Sequence, residues 1–127
     1  MPLVRIDLMK GKPEGFGKQV GAVVYRAMME TINVPPKDNF QLITEYDRNG
    51  FVYDPSYLDV QRTDGVIFIQ ITLNEGRTLE LKKRLYRALA EGLNKELAVR
   101  KEDVFISLVE VKKENWSFGN GIAQYAS

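Results

Sequence analysis

Displaced by 65 residues, so that Ile6 falls on Ile71, the chain aligns with itself without a gap, residues 4–45 lying on residues 69–110. In the same register Leu8 meets Leu73, Gly11 meets Gly76, Lys18 meets Lys83, Val34 meets Val99, Asp38 meets Asp103, Phe40 meets Phe105 and Glu45 meets Glu110, while Lys12 and Arg77 keep a charge in common. Chance rarely places so many coincidences in one register. The fold must therefore be one that a single unit can build twice.

The unit is legible from its periodicities. Phe16, Val20, Val23, Val24, Met28 and Ile32 recur as Leu81, Leu85, Ala88, Leu89, Leu93 and Leu97, the stripe of an amphipathic helix with one face on a core. Each half reads strand, glycine-containing turn, helix, short turn, strand. The strands are expected over residues 2–8, 39–46, 66–73 and 104–111, and the helices over 14–33 and 79–98. Thr78 is placed to cap the second helix, whereas Gly15 and Gly17 weaken the first turn of the first. Pro35 and Pro36 stop helix one, since proline lacks the required donor and biases its predecessor away from helical geometry.

These elements predict one domain over residues 1–127 of the α/β (α+β) class. Repeat one spans about 2–46, a connection 47–64, repeat two about 66–111 and a tail 112–127. Each crossover gives a parallel strand pair of right-handed connection, so two tandem β-α-β repeats form a four-stranded sheet with two helices on one face. Val4, Ile6, Leu8, Ile67, Ile69, Ile71 and Leu73 are expected to face the helices. The opposite parity is mixed, and Leu3, Val66 and Phe68 are too apolar for solvent, which implies a homo-oligomer. The connection carries turn chemistry at Asn49-Gly50 and Asp54-Pro55-Ser56, with a short strand expected at residues 51–53. The tail sets aromatics among glycines and is expected to form a hairpin lining a pocket.

Composition removes several classes of function. Eighteen Lys and Arg against 17 Asp and Glu leave a net charge of +1, with no field to recruit nucleic acid or an anionic membrane. The chain has no Cys and no His, so disulfide and thiolate chemistry are excluded and the commonest transition-metal ligand is missing. No metal site is expected. The absence of a long apolar stretch and of a leader pattern makes the cytoplasm the expected location.

With no histidine to carry protons near neutral pH, one residue offers a substitute. Removal of Met1 leaves Pro2 as a secondary amine at the first position of a strand, and the α-amino pKa is roughly 7.7–8.0. Pro2, the doubled β-α-β unit and the Trp116-Ser117-Phe118-Gly119 tail together resemble the tautomerase superfamily, in particular the malonate semialdehyde decarboxylases and related tautomerase-like proteins. The resemblance runs from Pro2-Leu3 through Val34-Pro35-x-x-Asp38 and the loop of residues 54–58 to the tail. It implies β-α-β subunits assembled as a homotrimer, sites near subunit boundaries, and a catalytic amino-terminal proline.

Carried over by position, the catalytic proline falls on Pro2, the acidic partner on Asp38, and the apolar wall on Trp116, Phe118 and Tyr125. The decarboxylase's pair of arginines falls on Asn74 and Arg77, so one cation is missing. Tyr46 stands where relatives often carry histidine. The run Leu73-Asn74-Glu75-Gly76-Arg77 also resembles the strand-end Gly-Arg of small 4-oxalocrotonate-type tautomerases, whose arginine binds substrate carboxylate.

Each of these residues has a plainer reading. A proline opening an edge strand costs nothing there. Arg77, at the start of helix two where backbone donors favour an anion, can grip a carboxylate or pair with Glu75 or Glu80. Lys12 offers a matching cationic corner in repeat one. Asp38 is repeated as Asp103, which suggests a turn device, and aromatics commonly end in cores or interfaces. Arg62, Tyr57 and Tyr53 are weaker candidates.

The leading expectation is a tautomerase that needs no cofactor and moves a proton between carbon and oxygen of a small 2-oxo or enol acid. Arg77 would hold the carboxylate and Pro2, its ammonium disfavoured by like charge and burial, would act as general base. The alternatives are a malonate semialdehyde decarboxylase-like lyase or hydratase, and a non-catalytic oligomeric binding module.

Overall fold

The computed structural model describes residues 1–126. Its main elements are β1 (Pro2–Met9), α1 (Phe16–Ile32), β2 (Gln41–Tyr46), β3 (Ile67–Asn74), α2 (Leu79–Leu97) and β4 (Val104–Val111). The sheet order is β2-β1-β3-β4, with β1/β2 and β3/β4 parallel. The two repeats join through an antiparallel pairing of β1 with β3, in which Pro2 lies opposite Leu73, Arg5 opposite Gln70 and Leu8 opposite Ile67.

That register has a consequence that the repeat alone does not carry. Gln70 is the residue matching Arg5 under the 65-residue displacement, so the approximate two-fold axis relating the repeats passes between them. The beginning of β1 therefore neighbours the end of β3. Equivalent residues of the two repeats, such as Arg77 and Lys12, are sent to opposite ends of the sheet.

Alternation along β1 and β3 decides which side chains meet the helices. Val4, Ile6, Leu8, Ile67, Ile69, Ile71 and Leu73 are buried against Val20, Val24, Met28, Leu85, Leu89 and Leu93 of the helical stripes. The helices approach each other closely where Gly92 faces Val23, since a Cβ on residue 92 would lie 2.9 Å from Val23 Cγ1. Arg26 and Glu96 form an ion pair across the same seam.

Local signals set the ends. Thr78 caps α2 by accepting from the Leu81 amide at 3.3 Å, whereas α1 begins at Gly15 with no side-chain cap. At their ends Asn33 and Ala98 both adopt left-handed geometry, and Val34 and Val99 donate back to Met28 and Leu93. Both helices thus stop by the same six-to-one closure.

Two sequence expectations are corrected. Residues 51–53 do not form a strand; Phe51 is buried with its ring 5.3 Å from that of Phe68. Burying that ring on the open face of the sheet takes the segment across the face, and Val66 beside it is fully buried. The tail is not a hairpin. After a short turn at Lys113–Asn115 it becomes a closed loop in which Gln124 accepts from the Phe118 amide at 2.9 Å and donates to the Gly119 carbonyl at 3.0 Å.

The cap and the core have separable energetic signatures. Thr78→Ala is expected to cost about 1 kcal/mol and Leu89→Ala about 2–5 kcal/mol, both read as displaced urea unfolding midpoints with an unchanged slope.

Candidate active site

Four chain segments converge at the end of the sheet where β1 begins. Pro2 is buried as the first residue of β1, and its cross-strand partner Leu73 is followed by Asn74, the last residue of β3. Because β2 runs parallel to β1, with Val4 opposite Gln41, the turn before β2 brings Asp38 to the same end. The tail leaves β4 there as well, Val111 lying opposite Asn74.

Arg77 reaches this corner through the turn at Gly76, whose φ of +114° lies in a region that side-chain-bearing residues rarely adopt. Its guanidinium donates through Nη1 to the Asn74 carbonyl at 3.2 Å and through Nη2 to the Ile32 carbonyl at 3.4 Å. Ile32 ends α1, so the cation sits at the negative end of a helix dipole. Arg77 pairs with neither Glu75 nor Glu80; Glu80 instead has Lys83 at 3.9 Å. A guanidinium carries five N–H donors, so those not spent on the two carbonyls remain for an anion.

Asp38 is the unusual group of the corner. Its side chain is 13% exposed; Oδ2 lies 3.6 Å from the Met1 ammonium, and Oδ1 is buried with no hydrogen-bond partner among the described residues. Leaving such an acceptor unpaired is costly, and most buried polar atoms avoid it. Asp103, its counterpart at the far end of the sheet, is buried and fully engaged. It accepts from the Thr63 amide at 2.8 Å and the Thr63 hydroxyl at 2.6 Å, with Arg100 at 3.5 Å. The same residue at the same place in the repeat is thus a structural latch in one half and an unsatisfied carboxylate in the other.

The difference has a topological origin. Where Pro2 begins β1, its counterpart Ile67 continues from the connection, whose Thr63–Gly65 turn folds over Asp103; a Cβ on Gly65 would be 3.4 Å from that carboxylate and 3.8 Å from Lys12 Nζ. Lys12 itself lies 5.3 Å over the Phe16 ring. Lys12 is nevertheless exposed, beside a carboxylate that the chain has already engaged, whereas Pro2 is buried and Arg77 half-buried at their end of the sheet.

The aromatic residues foreseen as a wall assemble as a stack. Trp116 and Phe118 lie nearly parallel with centroids 5.5 Å apart, and Tyr125 meets Phe118 edge-on at 4.9 Å. The stack is tied to the sheet by one bond, from Trp116 Nε1 to Asn74 Oδ1 at 2.8 Å. Sequence reasoning missed this tie and the Ile32 carbonyl that seats Arg77, because each joins segments far apart in the chain, and it missed the local Gln124 clasp, which follows no periodic pattern. The unequal fates of Asp38 and Asp103 were hidden because they too depend on segments far apart.

Tyr46 is not brought to this corner. It ends β2 opposite Met9, at the other end of the sheet, and donates to Asp7 Oδ1 at 2.7 Å. That bond, then burial and the Asp7 charge, raise its phenol above the usual value. Tyr53 is raised likewise by its bond to Asp64, whose carboxyl is lowered by Tyr53 and Arg48. Tyr53 and Tyr57 line a separate concavity of about 240 Å³ with Val52, Asp54, Arg62, Phe68 and Phe105 on the open face. Arg62 Nη1 there donates to the carbonyls of Asp54, Tyr57 and Val60, which makes it a loop clasp. Among the described residues no group of three or more His, Cys, Asp or Glu side chains is placed to hold a metal ion, and no helix is long and apolar enough to cross a membrane.

Two family models match the chain, over residues 2–61 and 38–119, and both are described as tautomerase enzymes. The probable tautomerase YusQ of Bacillus subtilis (strain 168) is 49% identical over 98% of each chain. The structure of FG41 malonate semialdehyde decarboxylase inhibited by 3-bromopropiolate is 34% identical, with a TM-score of 0.90 over 97% of this chain and 93% of that one. A fused 4-OT described as a symmetric trimer shares the fold, with 22% identity and a TM-score of 0.78 over 98% of each chain.

The two aspartates are expected to differ in stability effect. Asp103→Ala strands the Thr63 donors and should cost about 1–3 kcal/mol, whereas Asp38→Ala removes an unpaired acceptor and should leave the urea midpoint unchanged or raised. The tyrosines give a pH test. A phenol whose folded pKa is raised contributes stability that is complete below the unfolded value of 10.0 and is lost as pH rises through the folded pKa. Tyr46→Phe should therefore remove one of the latest steps of an ultraviolet phenolate titration and make the protein's stability less sensitive to alkali.

Proposed function

Because the chain belongs to the tautomerase family, we propose that it catalyses keto-enol proton transfer on a small 2-oxo or enol acid, with the amine of Pro2 as general base once Met1 is removed. The observation that carries this reading is the corner itself. Pro2 is buried beside a carboxylate with an unfilled acceptor, while Arg77 is seated on backbone carbonyls with donors to spare. At the other end of the sheet the equivalent carboxylate, Asp103, is taken up by Thr63 and Arg100, so one site per subunit is the consistent reading.

The substrate's carboxylate binds the free N–H groups of Arg77. The Pro2 nitrogen accepts the proton of the enol hydroxyl as the carbon-oxygen double bond forms, and the resulting ammonium returns a proton to the adjacent carbon. No proton is gained or lost overall. Trp116, Phe118 and Tyr125 keep water from competing for the carbanionic carbon. Asp38 orients the ammonium of Pro2 in place of the Met1 ammonium it faces in the unprocessed chain. Such positioned proton transfer contributes on the order of 10² to 10⁴ in rate.

Assembly as a homotrimer forms part of the reading. Phe105 and Val109 of β4 and Leu42 of β2 are exposed on the face away from the helices, a surface suited to burial against other copies. A partner subunit would also shield the outer side of the corner, where Phe118 and Tyr125 are exposed.

A second reading is favoured by the likeness to FG41 malonate semialdehyde decarboxylase: loss of carbon dioxide from a 3-oxo acid, with Asp38 organising water or the carbonyl. It requires the substrate to be polarised with one strand-end cation rather than two. Carbon dioxide release from 3-oxo acids faster than enol turnover would establish it.

Pro2→Ala is expected to lower kcat/KM for an enolpyruvate by about 10² or more, and Arg77→Ala to raise KM. In the processed enzyme kcat/KM should fall with acidity, because a protonated amine cannot act as a base. Intact mass confirms Met1 removal, and wild-type activity in both variants would end the proposal.

A further inference from the structure

One residue holds both halves of the candidate site. The backbone carbonyl of Asn74 accepts from Arg77 Nη1 at 3.2 Å and its side-chain carbonyl accepts from Trp116 Nε1 at 2.8 Å. An indole N–H can only donate, so the Asn74 atom facing it must be oxygen, and this fixes the orientation of the amide. The NH2 group is thereby turned to the other branch. Among the described residues it donates to no protein acceptor, and the one buried polar atom without a partner is Asp38 Oδ1, so the NH2 is open to solvent. Alternation places the Asn74 side chain on the open-face side of β3, one residue beyond the partner of Pro2, while Arg77 reaches back to the end of α1.

The geometry points to Asn74 as the residue that sets substrate class: its NH2 donates to a neutral oxygen of the substrate, and its Oδ1 fixes the Trp116 ring against the substrate's carbon chain. This rests on the proposed function and narrows it. The favoured ligand carries one carboxylate for Arg77, one uncharged carbonyl or enol oxygen for Asn74, and an apolar remainder for the stack of Trp116, Phe118 and Tyr125. A second carboxylate would lie against an indole and a neutral amide, and burying it there is unfavourable. The chain is thus built for monocarboxylic 2-oxo acids and their enols, and it discriminates against dicarboxylic ones.

Trp116 is the sole tryptophan, so binding can be read from its fluorescence without any turnover. Processed wild-type protein is titrated with 2-oxohexanoate and with 2-oxoadipate, six-carbon acids that differ by the second carboxylate. The monoacid is expected to bind at least about tenfold more tightly, in line with the cost of an unmatched polar group in a formed site. Asn74→Arg should reduce or invert that ratio by a similar factor. Asn74→Asp keeps an acceptor for the indole but replaces the donor by a negative charge, so it should weaken both ligands while leaving the emission of the free protein as in wild type. Asn74→Ala releases the ring and should shift the emission to the red, with its urea midpoint recorded to establish that it is folded.

An unchanged mono-to-diacid ratio in Asn74→Arg, an unshifted emission in folded Asn74→Ala, or failure of wild type to bind either acid would overturn the inference. Failure of the underlying reading looks different: Pro2→Ala would then turn over enols as wild type does, while the ligand ratio still followed residue 74.

Discussion

Arg5 and Gln70 face each other across the centre of the sheet, and most of the molecule's asymmetry follows from that one antiparallel register. Had the repeats joined in parallel, equivalent residues would have lain side by side. Joined head to tail, they lie at opposite ends, and the beginning of one repeat meets the end of the other. Pro2, at the start of β1, thus shares a corner with Asn74 and Arg77, which follow the end of β3. The pairing is enforced by burial, because a slip of one residue would turn Val4, Ile6 and Leu8 away from the core.

The two corners differ because the chain enters them differently. In repeat two the chain enters β3 from a connection, and that entering chain satisfies Asp103 through Thr63. In repeat one Asp38 has the Met1 ammonium 3.6 Å from Oδ2, and among the described residues its buried Oδ1 has no partner. The energetic cost of that orphan is tolerated in a core otherwise well filled. Equivalent positions of one repeat thus hold a fully bonded carboxylate at one end of the sheet and an incompletely bonded one at the other.

The connection and the tail serve different ends. Residues 47–64 cover part of the sheet's open face through Phe51 and clasp themselves through Arg62 and the Arg48–Asp64 pair. The tail wraps the Pro2 end, where Gln124 closes its loop and Asn74 anchors its indole. Neither segment has a regular hydrogen-bonding ladder of its own. Each is held by a few side-chain bonds, which makes their positions sensitive to single substitutions.

The sequence by itself determined the elements and their faces. The 65-residue repeat, the stripes from Phe16 to Ile32 and from Leu81 to Leu97, and the alternation in β1 and β3 placed four strands, two helices and the core, because these depend on local periodicity and burial. It also singled out Pro2, Asp38, Asn74, Arg77 and the aromatic tail, partly through family resemblance. Tertiary structure decided which of them meet. That Arg77 rather than Lys12 shares the Pro2 corner, that Asp38 is unsatisfied while Asp103 is spent, and that Tyr46 belongs to Asp7 at the far end all follow from strand order and register. Those are contacts between segments tens of residues apart, set by the packing of the whole sheet, and no local pattern encodes them.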